Sequence, residues 1–276
     1  MELGERRGDM KVIVTHDVDH LYSTEHLFDG ILLKYAFRVV MERLGGMLST
    51  REFMFRLGDL FRKTWHHVDE VMDFDEANGI PSTFFFAMNK GVGLNYDYHS
   101  ALPVIQRVIS RGFDCGVHGI EFEDRNQIEA EYQRFKILIG KSDFGIRMHY
   151  LRRNEGTLEK LNQAGYLFDS SEFTFKTPYK IGAMWEFPLH IMDSNEFYEG
   201  KSWQTEKREL IIEKTKDRIA KLAEKNYPYL TLLFHDRYFC SSYESYKLWY
   251  KEIIEYLKGN GHQFSSFKEV LHELES

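Results

Sequence analysis

Short apolar runs closed by an ionisable residue alternate along this chain with longer segments whose apolar side chains return every third or fourth position. The runs predict buried strands, and the longer segments predict amphipathic helices. A first strand over residues 11–15 leads into Thr15-His16-Asp17-Val18-Asp19-His20. A helical region over 25–63 follows, broken at Gly45-Gly46 and restarted by a cap at Ser49-Thr50. The spacing then predicts a helix over 68–78 closed by Gly79, a strand over 82–86, a helix over 102–111, and a strand over 113–117 with His118 at its tip. Beyond these come a helix over 127–139, a strand over 145–150, a helix over 157–163, a strand end at 167–169 and a short strand at 185–188. The last elements are a helix over 209–225, the apolar strand 229–234 followed by His235, a helix over 246–258, and a final helix from Phe267.

Strands that alternate with helices imply a parallel sheet, and this many repeats favour a barrel, closed or distorted, over an open sheet. A chain of 276 residues can bury one substantial core, so a single domain over 1–276 is expected. The ionisable groups share a location. The acidic cluster, His118, Arg147 with His149, Asp169 and His235 all fall at the carboxyl ends of predicted strands, where active sites of parallel α/β folds lie.

The net charge of −7 argues against nucleic acid as the main partner, because a phosphate backbone calls for a concentrated basic surface. An aromatic content of 15% suits a packed core or a groove that stacks on sugar rings. Cys115 and Cys240 lie in or beside apolar runs, and the stretch from Met1 to Arg7 holds no apolar signal core, so a cytoplasmic setting is expected. No apolar stretch reaches the length of a membrane span. The nearest, 31–48, is interrupted at helical spacing by Lys34, Arg38, Glu42 and Arg43, so its apolar face either packs on the domain or makes a peripheral contact with the inner face of the membrane.

On a strand, Asp17 and Asp19 point to one side and His16, Val18 and His20 to the other. Two carboxylates on one face call for a cation beside them or a proton on one of them. The order of the motifs resembles the polysaccharide deacetylases of the NodB-homology type, carbohydrate esterase family 4, over residues 11–270 apart from most of 21–63. That family folds as a distorted (β/α) barrel, which makes 21–65 a helical insertion after the first strand. The insertion leaves directly from the acidic cluster and is expected to cover or shape the substrate groove.

The resemblance implies a role for each matching residue. In Thr15-His16-Asp17-Val18-Asp19, Asp17 is the general base and Asp19 a metal ligand. Asp114-Cys115-Gly116-Val117-His118 matches the lead and first histidine of the second motif, but the second histidine position is Phe122, which cannot bind a metal. In Arg147-Met148-His149-Tyr150 a histidine stands where the family has proline. The suggested ligand set is therefore Asp19, His118 and His149, with a substrate-contacting or structural role open for His149. His16 and His20 are reserve ligands, and Asp124 a weaker one. Arg147 orients and tunes Asp17, and the Tyr150 backbone N–H meets the oxyanion. Asp169, in Leu167-Phe168-Asp169-Ser170-Ser171, supports the catalytic acid His235. Trp185 could line a sugar groove.

The implied activity is that of a metal-dependent hydrolase, zinc being the expected ion. It would remove an acetyl or other small acyl group from an N-acylated amino sugar in a surface polysaccharide, of the O-antigen or capsule type, or in its precursor. Phe122 leaves two other readings open: a non-catalytic carbohydrate-binding protein, and a metal-independent hydrolase of cyclic amides.

Overall fold

The computed structural model describes residues 10–276; residues 1–9, on which the expectation about a signal core rests, lie outside them. The first half of the chain contains β1 (Lys11–Val18), α1 (Ile31–Leu44), α2 (Thr50–Asp59), α3 (Val68–Asn78), β2 (Thr83–Ala87), α4 (Tyr98–Ser110), β3 (Asp114–Gly119) and α5 (Arg125–Ile139). The second half contains β4 (Ile146–Met148), α6 (Thr157–Ala164), β5 (Phe168–Asp169), β6 (Tyr179–Ile181), β7 (Met184–Glu186), β8 (Ile191–Met192), α7 (Asp193–Tyr198), α8 (Arg208–Glu224), β9 (Tyr229–Leu233), α9 (Glu244–Gly259), β10 (Gln263–Phe264) and α10 (Phe267–Glu275).

The strands form one sheet in the order β6-β7-β5-β4-β3-β2-β1-β9-β8, with β10 added beside β1. Every ladder is parallel except the β6–β7 hairpin. Taken around the sheet, this is close to the consecutive order of a barrel, with β6 and β8 as the two edges of its gap. A parallel bridge between Phe173 and Leu189 and a bond from the Leu189 N–H to the Glu172 carbonyl extend the β5–β7 pairing toward β8, so the chain from β7 to β8 passes along the gap. The sheet is thus a curled half-barrel rather than an open, doubly wound one.

Two apolar layers hold it. Outside, the helices pack on the strands through residues such as Val14, Phe84, Val104, Ile146, Leu232 and Trp249. Inside, α10 plugs the barrel with Phe267, Val270 and Leu271 against Ile13, Phe85, Phe168 and Phe187. Gly116 makes room for this plug, since a Cβ there would lie 2.6 Å from the Phe85 ring. The capping chemistry is as the sequence predicts: Ser49 accepts from the Glu52 N–H to start α2, and Gly79, at φ 68°, closes α3 in the left-handed conformation that glycine tolerates.

Several boundaries differ from expectation for local reasons. The helix expected over 102–111 begins at Tyr98, because Asp97 caps it by accepting from the His99 N–H. The strand expected over 145–150 ends at Met148, and His149–Leu151 form a tight turn with Tyr150 and Leu151 at φ 55° and 53°. Strands β6 and β8 and helix α7 are too short for periodicity to reveal.

In the 21–65 segment, α1 and α2 are clamped by a buried guanidinium. Arg56 pairs with Glu42, lies 3.1 Å from Glu52, and donates to the Ser242 carbonyl at 2.7 Å. The carboxylates and carbonyl satisfy the charge that burial exposes to a poor dielectric. Among the described residues no helix is long and apolar enough to cross a membrane.

Candidate active site

Parallel register brings the chemistry to one end of the barrel. Asp17 stands opposite Phe85, Ala87 opposite His118, and His118 opposite Arg147, so the carboxyl ends of β1, β3 and β4 empty into a common cleft. Asp19 follows β1 by one residue, and His149 enters from the turn after β4.

Asp19, His118 and His149 converge. The His118 Nε2 lies 3.2 Å from Asp19 Oδ1 and 3.0 Å from His149 Nδ1, and His149 Nδ1 lies 3.5 Å from the same carboxylate oxygen. The opposite ring nitrogens decide what this means. The His118 Nδ1 is 2.9 Å from the Arg147 carbonyl and the His149 Nε2 is 3.2 Å from the Val92 carbonyl. A carbonyl only accepts, so both of those nitrogens carry their protons there, and in the neutral rings the facing nitrogens are lone pairs. Two lone pairs and a carboxylate oxygen therefore point at one another with no donor among them. Asp19 Oδ1 is buried without a hydrogen-bond partner.

Such a triangle of acceptors fits a divalent cation, and ring N–H groups turned to carbonyls are the usual outer support of histidine ligands. All three ligand atoms lie within 4.8 Å of one another. Burial alone would raise the Asp19 carboxyl, yet the facing His118, with His149 and His235 nearby, holds it well below the usual range, and Asp17 and Asp19 in turn draw the His118 imidazole upward against its burial, as a negative pocket that attracts a cation does. Burial lowers the His149 imidazole to about 4, which keeps it neutral.

On one side of the triangle stands Asp17, buried and gripped by Arg147. The Arg147 Nη1 donates to Asp17 Oδ1 at 3.2 Å and to the Thr15 hydroxyl at 2.6 Å. Its Nε and Nη2 bond the Ser170 carbonyl and hydroxyl at 2.9 and 2.8 Å, and its guanidinium lies over Phe85 of the barrel plug. On the other side stands His235, whose Nε2 is 3.6 Å from Asp19 Oδ2.

The structure corrects the support assigned to His235. Its partner is Asp193, which accepts from the His235 Nδ1–H at 2.7 Å and from the His235 backbone N–H at 2.7 Å. Burial works against a charged imidazole, but Asp193, with Asp19 and Asp17 behind it, pushes His235 up to about 10. Asp193 opens α7 directly after β8. The signal was legible: it is a carboxylate at the end of an apolar pair, the criterion that located the other groups. It was missed because nothing local in the sequence says that β8 lies beside β9, the strand that leads to His235.

Asp169 serves the other side of the cleft. It accepts from the Ser171 hydroxyl and N–H at 2.6 and 3.2 Å, and so fixes the 170–171 turn that holds Arg147. Burial and the facing Asp169 carboxylate push the Glu186 carboxyl well above its ordinary value, so the pair keeps a proton. The unfolded chain releases that proton near the ordinary 4.5, so the stability tied to it is present below that pH and lost as pH rises. Glu186→Gln, which keeps an acceptor for the Glu172 N–H, is therefore expected to match the wild-type melting temperature at pH 4 and exceed it at pH 8. An equal offset at both pH values would contradict a shared proton.

The reserve ligands are occupied elsewhere. His16 bonds the Phe234 carbonyl and Asp75 in the helix layer, at 2.7 and 2.8 Å. His20 lies at the cleft edge with its Nδ1 2.9 Å from His26. Asp124 caps α5. Phe122 lies under the Arg152 guanidinium. Trp185 does not line the cleft: its indole N–H meets Glu275 at the end of α10, toward the barrel floor where Glu273 meets Lys11. The turn at Tyr150 leaves that side chain 69% exposed, with its ring against His149.

No known family profile matches this sequence, and no curated protein matches it by sequence. Solved structures match it by fold. A Mycobacterium smegmatis protein classed as a polysaccharide deacetylase superimposes with a TM-score of 0.66 at 16% identity, covering 99% of this chain and 92% of that one. The allantoinase PuuE gives 0.61 at 14% identity, covering 98% and 90%. The chitin deacetylase of Colletotrichum lindemuthianum gives 0.52 at 13% identity, covering 95% and 87%. The chain therefore has the fold of the polysaccharide deacetylases, a distorted (β/α) barrel with its ionisable cluster at the carboxyl ends of the strands.

Proposed function

We propose that the protein is a metal-dependent amide hydrolase that removes an acetyl or other small acyl group from an N-acylated amino sugar of a surface polysaccharide or its precursor. The observation that carries this reading is the triangle of Asp19, His118 and His149, with both imidazole N–H groups turned outward to carbonyls. A divalent ion such as zinc, when bound, supplies charge that polarises an amide carbonyl and acidifies a water molecule.

The chain's own residues divide the proton traffic. Asp17, fixed by Arg147, takes the proton of the attacking water as its oxygen bonds to the acyl carbon. The Tyr150 N–H, offered by the strained turn after β4, would donate to the oxyanion. His235 carries a proton at Nε2 because Asp193 holds Nδ1–H, and it gives that proton to the nitrogen as the C–N bond breaks. Products are a free amine and a carboxylate.

The test is zinc content of the purified chain together with acetate release from N-acetylated amino-sugar oligosaccharides. About one equivalent of zinc with turnover that a chelator stops supports the reading. A metal-free chain that opens a cyclic amide supports the metal-independent alternative instead. A chain with neither metal nor turnover supports a carbohydrate-binding role.

A further inference from the structure

Helix α1 is apolar on two opposite faces. Tyr35, Val39 and Glu42 form its buried side. Leu33, Phe37, Val40 and Leu44, at helical spacing within an arc of roughly 60°, form an outward stripe that is 77%, 59%, 44% and 76% exposed. Phe28, just before the helix, is 99% exposed. An apolar row of this length on a solvent face is unusual for a polar-surfaced chain and marks an interaction site.

The charges around it choose the partner. Across residues 21–64 the exposed cations are Lys34, Arg43, Arg51, Arg62 and Lys63, and the exposed acid is Asp29, which is bonded to His26 and Asn95. The acids Glu42, Glu52 and Asp59 are buried inside. The whole chain carries −7, so this cationic face runs against the overall balance. Lys34 and Arg43 flank the stripe on either side, roughly 90° around the helix from it; the Lys34 stem is long enough to reach upward from an apolar plane, and the Arg43 guanidinium, held by the Leu48 carbonyl and the Thr50 hydroxyl at 3.0 and 3.3 Å, fixes a charge on the other flank. A second copy docking face to face would set these cations against their own images, with Asp29, already bonded to His26 and Asn95, as the exposed acid to meet them.

We propose that the outward face of α1, with Phe28, docks on an anionic phospholipid bilayer surface. The apolar stripe enters the boundary of the acyl chains while Lys34 and Arg43 meet the phosphate groups. The docked face borders the cleft. Ile31, which opens α1, packs on Gly93, Asp29 bonds Asn95, and the Val92 carbonyl in the same loop holds His149. A glycan carried at headgroup level would thus be presented to the site. That last consequence rests on the proposed function, whereas the docking does not.

The test is cosedimentation of the full chain with vesicles of phosphatidylcholine alone and with phosphatidylglycerol added, alongside light scattering of the free protein. Binding to the phosphatidylglycerol vesicles, weakened by added salt, is expected. Phe28→Ser with Phe37→Asp, and separately Lys34→Glu, should each lower that binding about tenfold with unchanged melting temperature. Vesicle binding that persists in both variants overturns the proposal, as does absence of binding at low salt. So does a dimer that the Phe37→Asp change dissolves. Acetate release from a soluble oligosaccharide, measured in parallel, reports on the hydrolase reading independently of the vesicles.

Discussion

Asp19→Ala is expected to abolish zinc binding and amide hydrolysis together. Asp19 is the one anion in the acceptor triangle, and its buried Oδ1 has no donor among the described residues. Removing it leaves two neutral imidazole nitrogens 3.0 Å apart, which make a weak and incomplete site for a doubly charged ion. Outer partners of metal ligands are worth about 10–100-fold, so loss of the charged ligand itself should cost roughly a thousandfold or more in turnover. Zinc content and acetate release from the same preparation measure both effects. The control is Asp124→Ala, which removes only the cap of α5; it should cost about 1 kcal/mol of stability and leave zinc bound. An Asp19→Ala protein with full zinc and full turnover would show that the triangle is not the metal site.

Asp193→Asn is expected to lower turnover and to move its pH dependence, which a merely structural residue would not do. With Asp193 in place His235 is pushed up to about 10, so the acid form persists through neutral pH. The rate depends on that acid form and is lost as pH rises through its pKa. Without the Asp193 charge only Asp19 and Asp17 are left to oppose burial of the ring, and the alkaline limb of kcat should move down toward the ordinary imidazole value of about 6.5. At pH 8 the loss should be about a hundredfold or more. Asp169→Asn separates the two carboxylates. It disturbs the Ser170–Ser171 turn under Arg147 and hence Asp17, so it should change the acid limb and leave the alkaline limb in place. The opposite pattern, with Asp169→Asn moving the alkaline limb, would restore Asp169 as the support of His235.

The parts of the site that were legible share a property: each is a polar residue at the end of an apolar run long enough to be recognised. Asp17, His118 and Arg147 lie within the last two residues of buried strands, and Asp19 and His235 come one and two residues beyond them. Asp193 follows a strand of two residues and was overlooked, and its role went to Asp169, which is equally polar and equally well placed along the chain. The two differ only in which edge of the sheet they occupy. Asp169 lies on β5 beside β4, whereas Asp193 follows β8 beside β9, and His235 ends β9. Trp185 misled for a similar reason, since its place in the sequence does not say which end of the barrel its ring reaches.

By itself the sequence determined the alternation of strands and helices, the parallel sheet, the gathering of ionisable groups at the strand ends, and the need of Asp17 and Asp19 for a nearby cation or a shared proton. These follow from local periodicity and from the cost of placing like charges together. The tertiary structure alone decided which groups meet. It chose His149 over His16, His20 and Asp124 as the third corner of the triangle, because the tight turn after β4 swings that ring inward and the Val92 carbonyl orients it. It chose Asp193 over Asp169 because strand order around a curled sheet is set by packing between segments far apart in the chain. It also turned four apolar residues of α1 outward, since the inner face was already filled by Tyr35, Val39 and the buried Arg56 network, and a periodicity has no means of saying which of two apolar faces the core will take.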